Sequence, residues 1–232
     1  MRNLTHIHQT AELAERVLLP GDPGRALRLA QALLEAPLML NHNRGLWGYT
    51  GTAPDGELLS IQSTGMGGPS AAIVASELIE LGARRLLRIG TCGGLDSELE
   101  LGQLLVASEA IADDGTSVAL GGHGPLGRVP ASRTVTDALR AAAAQLNAAD
   151  GPVVSSDLFY DSDDRVPAWL ASGALAVEME AATIFAVAAK RGVEAGCALL
   201  VSDIIADKQR IEPEALYAAE LELGRVAISS LC

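Results

Sequence analysis

The 232-residue chain is 49% hydrophobic but only 3% aromatic, holds 24 glycines and carries a formal charge of -12. This suits one large α/β domain over residues 1–232, cored by Ala, Leu, Val and Ile, and argues against nucleic acid or an anionic membrane surface as a partner. The N-terminus has no apolar signal core, no run of roughly 18 uncharged apolar residues occurs, and Cys92, Cys197 and Cys232 lack metal-ligand spacing. A cytoplasmic protein with reduced thiols and no metal is therefore expected.

The polar start of the chain contains His6 and His8, an H-x-H pair with no Cys, Asp or Glu cluster beside it, and reads as a solvated arm. Arg16 to Leu19 is a short strand, broken at Pro20-Gly21-Asp22-Pro23-Gly24-Arg25 before a helical run. A strand, a glycine turn and a helix point backbone N–H groups at an anion, and Arg25 would add a forked donor. An ordinary turn with a surface arginine has the same pattern. Asn41 to Gly51 is turn-rich, and places Arg44 beside Trp47 and Tyr49 as a binding arm or a surface hairpin. Leu58 to Gln62 is a strand.

Ser63 to Ser70 (STGMGGPS) sets three glycines between that strand and a helix opened by Pro69. Such a loop lets a ligand lie against backbone, though it lacks the Gly-Lys-Ser/Thr ending of a Walker loop. Arg85 to Ile89 is a buried strand ending in Gly90-Thr91-Cys92-Gly93-Gly94. Arg88 inside it needs a partner for its charge, either a bound anion or one of the 29 acids. Gln103 to Ala107 reads as a strand, and Asp113 to Arg128 as a loop in which His123 has no role. Thr136 to Ala149 reads as an alanine-rich helix. Phe159-Tyr160 follows a strand at Val153-Val154 and suits stacking on a planar ring or core packing.

Gly173 to Asp203 organises the rest. Ala174 to Val177 is apolar, and Glu178-Met179-Glu180 follows. Ala181 to Ala189 reads as a buried helix, ended after Lys190-Arg191 by Gly192. Cys197 to Val201 is a buried strand stopping at Ser202-Asp203. Two carboxylates thus stand where a strand becomes a helix, and a third beyond a strand end, where open α/β sheets bind ligands. Residues 204–215 read as a polar lid over Asp203, and Tyr217 to Leu231 as an amphipathic helix.

In order along the chain, LLPGDPGR, NRGLWGYTG, STGMGGPSAA, RIGTCGGL, SSDLFY, VEMEAATIF and VSD closely resemble the nucleoside phosphorylase family. That family includes bacterial hexameric purine nucleoside phosphorylases and uridine phosphorylases. The resemblance implies a three-layer αβα fold around a mixed, partly closed sheet, and reversible phosphorolysis of a nucleoside to free base and ribose 1-phosphate. It implies no cofactor beyond inorganic phosphate as co-substrate, and a homohexamer built as a trimer of dimers. Carried over by motif, Gly21, Arg25, Arg88, Ile89, Gly90 and Thr91 would bind phosphate, joined by Arg44 from a neighbouring subunit. His6, also from the neighbour, would meet the ribose 5′ hydroxyl. Met66 and Met179 would pack on the sugar, and Glu180 would hold its 2′ and 3′ hydroxyls. Phe159 and the backbone near Glu178 would face the base. Ser202 and Asp203 would address the purine N7 edge, Asp203 as catalytic proton donor.

The same resemblance separates alternatives. Uridine phosphorylases carry a Gln-x-Arg pair after the Phe-Tyr motif. Between Phe159 and Glu180 this chain has no Gln and only Arg165. Nucleosidases lack the phosphate arginines matched here by Arg25, Arg44 and Arg88. A non-catalytic nucleoside-binding relative would have lost site residues. One departure stands out: the arginine that assists protonation in many hexameric purine enzymes matches the region near Leu216 here, and Arg210, the nearest arginine, has the wrong spacing.

Overall fold

The computed structural model describes residues 3–121, 124–160 and 162–232; His123 lies outside them. Among the described residues, eleven strands form one mixed sheet. In chain order they are β1 (Arg16–Pro20), β2 (Glu35–Asn41), β3 (Gly48–Thr52), β4 (Leu58–Gln62), β5 (Arg85–Gly94), β6 (Leu104–Asp113), β7 (Gly127–Pro130), β8 (Ala149–Ser156), β9 (Ala176–Glu178), β10 (Glu194–Ile204) and β11 (Gln209–Arg210). The helices are α1 (Pro23–Leu33), α2 (Gly68–Leu81), α3 (Gly115–Gly121), α4 (Arg133–Ala142), α5 (Val166–Ala171), α6 (Ala181–Arg191) and α7 (Pro213–Leu231).

Five strands close into a ring: β5 pairs with β10, β10 with β6, β6 with β8, β8 with β9, and β9 returns to β5. The strands β1, β4, β3 and β2 extend from β5 as an open wing. The sheet is thus mixed and partly closed, as expected. Its two faces carry separate cores because alternate side chains of a strand point to opposite sides. Val17, Leu86 and Leu199 pack with Val74, Leu78 and Phe185 from α2 and α6. Leu18, Leu87 and Ala198 pack with Leu29, Leu139 and Leu223 from α1, α4 and α7. Each fully buried Leu, Ile or Phe contributes about 1.5–3 kcal/mol. This gives three layers, and no helix among the described residues is long and apolar enough to cross a membrane.

The helix from Ala181 is buried along its first eight residues, Ala181 to Ala188. On that stretch alanines share the packed face with Thr183, Ile184, Phe185 and Val187, all of them buried. It ends at Gly192, left-handed at φ 68, where Val193 N–H reaches back to the Ala188 carbonyl at 3.1 Å, a glycine-terminated cap.

Five segments differ from the sequence reading. The glycines after Ile89 stay in β5, because their missing side chains admit close neighbours. Residues 113–128 contain α3 and the start of β7. The alanine-rich helix stops at Ala142, and Ala149 already begins β8. Asp203 lies within β10 rather than beyond it, and the polar segment after it folds back as β11. The edge strand β2 has no apolar alternation to announce it and includes Pro37 and the left-handed Ala36 (φ 47).

Candidate functional site

Two strand-to-helix loops lie side by side. After β1, Asp22 caps α1 by accepting from the N–H groups of Gly24 (2.9 Å) and Arg25 (2.8 Å), which fixes the first turn and the root of Arg25. After β4, Thr64 N–H donates to the Pro20 carbonyl at 2.9 Å, and Gly65 N–H to that of Gly21 at 3.1 Å. A Cβ on Gly21 would stand 3.1 Å from the Gly65 carbonyl oxygen, so a side chain there would press the two loops apart by a few tenths of an ångström. Both loops border an open cavity of about 770 Å³, lined elsewhere by β5, the β9–α6 junction, the end of β10 and the segment after β8.

At its centre a buried arginine is held by two buried glutamates. Arg88 Nε donates to Glu178 Oε2 at 2.6 Å, and Nη2 lies 2.5 Å from Glu180 Oε2. Glu178 also accepts from Ser155 Oγ and from the backbone N–H groups of Glu180 and Ala181. Its carboxylate therefore caps α6 and orients Arg88 together. Glu180 Oε1 accepts from Gly67 N–H at 2.5 Å. Burial would lower the pKa of Arg88, but Glu180 and Glu178 outweigh it and the guanidinium holds its proton firmly. The carboxyl of Glu180 is pushed up by burial, drawn down by Arg88 and pushed up again by Glu178, with a net rise.

Arg88 Nη1 is buried and has no hydrogen-bond partner among the described residues. An unmade bond from a buried charged donor costs about 1–3 kcal/mol or more. Gly90 keeps the guanidinium in place: a Cβ there would meet Nη2 at 2.9 Å and Cζ at 3.1 Å. The sequence posed an anion or an acid as partner for Arg88; its internal partners are acids, and one donor is left over.

The end of β10 supplies the opposite wall. Its pairing with β5 slips between Val201 and Asp203, a bulge that takes up Ser202. Before it, Cys197, Leu199 and Val201 pack under α2 and α6; after it, Ile204 does. The alternation has reversed, which puts Asp203 on the other face, at the cavity. Ser202 Oγ lies 2.8 Å from Asp203 Oδ1 and 3.2 Å from the Cys92 carbonyl, and donates to one at a time. A Cβ on Gly93 would stand 3.0 Å from Asp203 Oδ2. Arg210, on β11, is the register partner of Asp203, and both border the cavity.

The fold brings most of the sequence-selected residues to this one cavity. Gly21, Arg25, Arg88, Gly90 and Thr91 border one part of it. Met66, Met179 and Glu180 border it too, with Phe159 and Glu178, and with Ser202 and Asp203. Ile89 is the exception within its segment: its side chain is fully buried in the core under α1 and α7, because it alternates with Arg88 and Gly90. Phe159 and Tyr160 are 58% and 77% exposed and meet edge to face at 4.9 Å, so neither is a core residue.

Two selected residues lie away from this chain's cavity. Arg44 is exposed on a short 3-10 turn (Asn43–Gly45), with left-handed backbone at φ 58. His6 is clamped to α2: Glu77 accepts from its Nδ1 at 2.7 Å and from the N–H groups of His6 and Ile7 at 2.9 and 2.7 Å. Sequence reading missed Glu220, a buried carboxylate bonded to Arg25 Nε at 2.8 Å. One acid on an amphipathic helix has no local signature. It also missed Gly67, whose N–H meets Glu180, though the glycine-rich loop was a visible signal.

Against protein-family models, residues 15–229 match the model described as the phosphorylase superfamily. Among curated proteins, the chain is similar to the DeoD-type purine nucleoside phosphorylase of Clostridium novyi (strain NT), 38% identical over 87% of this chain and 88% of that one. It is 35% identical to the DeoD-type purine nucleoside phosphorylase of Geobacillus kaustophilus (strain HTA426) over 96% of this chain and 94% of the relative. The guanosine phosphorylase of Halorubrum lacusprofundi is 36% identical over 87% of this chain and 84% of its own length.

Proposed function

The chain belongs to the phosphorylase superfamily, and on that footing we propose that it is a purine nucleoside phosphorylase, a pentosyltransferase that takes a nucleoside and inorganic phosphate and needs no cofactor. The observation that carries this reading is the spare buried donor of Arg88, beside Glu180, in a cavity shared with Gly21, Arg25 and Thr91. A phosphate oxygen is the acceptor that Arg88 lacks, and Arg25 on α1 adds a second guanidinium. Glu180, held by Gly67 and Arg88, takes the ribose hydroxyls and favours the positive charge that develops on the sugar.

In the reaction a phosphate oxygen bonds to C1′ as the glycosidic C–N bond breaks. The bonding electrons go to the purine, and Asp203 delivers a proton to N7. Arg210, opposite Asp203 across the hairpin, fills the place for which the family uses an arginine near the position of Leu216. The aromatic pair Phe159–Tyr160 offers a face to the base. The absence of a Gln-x-Arg pair after Phe159 favours purine over uracil.

In this reading the enzyme is a cytoplasmic homohexamer, and Arg44 and His6 complete a neighbour's site. The exposure and left-handed backbone of Arg44 fit that role, as does the anchoring of His6 on Glu77. The test is a panel of adenosine, inosine, guanosine and uridine with and without phosphate, with free base as the readout. Phosphate-dependent release of purines is expected. Release without phosphate, or no release from any purine nucleoside, overturns the assignment.

A further inference from the structure

Arg25 and Glu220 are nearly enclosed, 8% and 3% exposed, and come from opposite ends of the chain. Glu220 stands on α7 and Arg25 in the first turn of α1. One carboxylate oxygen of Glu220 takes Arg25 Nε at 2.8 Å, and the other takes Arg28 Nη2 at 2.7 Å. Arg28 is itself fixed, with its guanidinium 4.6 Å above the ring of Tyr217 and 3.6 Å from Asp22. Asp22 in turn caps the turn that carries Arg25. The two ends of the Arg25 side chain are therefore set by different groups, its backbone by Asp22 and its guanidinium by Glu220.

A buried ion pair is poor value as a stabiliser, since well-packed apolar residues of similar volume commonly do as well or better. Apolar surroundings were available here, because Leu29 and Leu223 pack in the same layer. What the pair does supply is direction. With Nε committed to Glu220, the two Nη groups of Arg25 are left for the cavity, which Arg25 borders together with Arg88 and Gly21. Pre-set donors bind an oxyanion without a cost for ordering them.

We propose that Glu220 is a positioning residue: it aims the Arg25 guanidinium at the bound phosphate and so links α7 to the phosphate end of the site. This rests on the phosphate-binding reading given above. It assigns Glu220 no contact with substrate.

The test is calorimetric binding of inorganic phosphate to the full chain, with steady-state kinetics on the same preparations. Wild type is measured first; if it binds no phosphate, the phosphate reading itself falls, and this inference with it. Given binding, Glu220→Gln is expected to weaken phosphate about tenfold, in keeping with the loss of a charged hydrogen bond. The nucleoside KM at saturating phosphate should change less than about twofold. Glu220→Asp keeps the charge between the two arginines, and so the fold, but withdraws it by one methylene. It should weaken phosphate about threefold by the same loss of alignment. In an Arg25→Met background, Glu220→Gln should have no further effect on phosphate, because the two act as one unit. Unchanged phosphate affinity in a folded Gln or Asp variant, or full additivity in the double variant, overturns the proposal.

Discussion

Nη2 of Arg88 and Oε2 of Glu180 stand 2.5 Å apart with both side chains almost fully buried, so the cation of the proposed phosphate site and the anion of the proposed ribose site are one ion pair. Substitution at either end therefore disturbs both. Glu180→Gln is expected to lower kcat/KM for purine nucleosides about 100-fold, the scale of losing one preorganised electrostatic contact, with far-UV circular dichroism retained. Arg88→Met leaves Glu178 and Glu180 facing each other unneutralised and should cost about 3–5 kcal/mol of folding stability. Urea denaturation reads this directly.

The raised pKa of Glu180 sets a pH dependence. As pH falls through that raised value the carboxylate is lost, so the acid limb of kcat/KM should lie above the ordinary glutamate range and vanish in Glu180→Gln. For stability the sign is opposite. The folded chain keeps this proton to higher pH than the unfolded chain does, so between the two pKa values stability falls as pH rises. Denaturation across a pH series should show that slope in wild type and not in Glu180→Gln.

Gly90→Ala tests the packing beneath Arg88. The new methyl would meet the guanidinium at 2.9–3.1 Å, and the side chain must move because the strand cannot. An overpacking cost of about 1–3 kcal/mol is expected, together with a loss of phosphate affinity larger than any change in nucleoside KM. Equal effects on both substrates would place the disturbance elsewhere.

These contacts mark what the sequence could disclose. Strands such as Leu58–Gln62, the buried helix after Glu180 and its glycine stop were legible because periodicity and capping are local. The gathering of Arg25, Arg88, Glu180 and Asp203 was legible through the family-like motifs that carry them, since Arg88 and Asp203 lie inside β5 and β10 rather than after them. Other features were not legible because their cause is distant. β2 is a strand only because β3 pairs with it. Residues 115–121 form a short helix joined to the core through Thr183, which bonds to Asp114 at 2.8 Å. Glu220 finds Arg25 across 195 positions of sequence.

Asp203 and Arg210 give a prediction about chemistry rather than folding. Asp203→Asn should lose most activity on 6-aminopurine nucleosides, about 10²–10⁴-fold for a general acid. Arg210→Gln should lower kcat about tenfold by weakening charge stabilisation next to that proton transfer, with phosphate binding by calorimetry unchanged. Near-normal adenosine turnover by Asp203→Asn would reject the proton-donor role.

At the N-terminus, Glu77→Gln should release the arm that carries His6. Burial raises the Glu77 pKa, but bonds from His6 and Ile7 outweigh it and the net shift is downward. Its contribution to stability is present above the unfolded glutamate pKa and is lost as pH falls through the depressed folded value. Hydrogen exchange at the His6 and Ile7 amides should accelerate in the variant, by about tenfold or more for a charged hydrogen bond lost.

The slip in β10 at Ser202 carries a lesson about how such a site can change. Point substitutions at position 203 alter which group stands at the cavity wall, but the facing of that position is set by the slip. Pairing Ser202 with Gly93 in unbroken alternation would send the carboxylate of Asp203 into the apolar layer beneath α6, where Val201 already sits. A shift of pairing, with every side chain's identity intact, is therefore enough to abolish or create an acid at this wall.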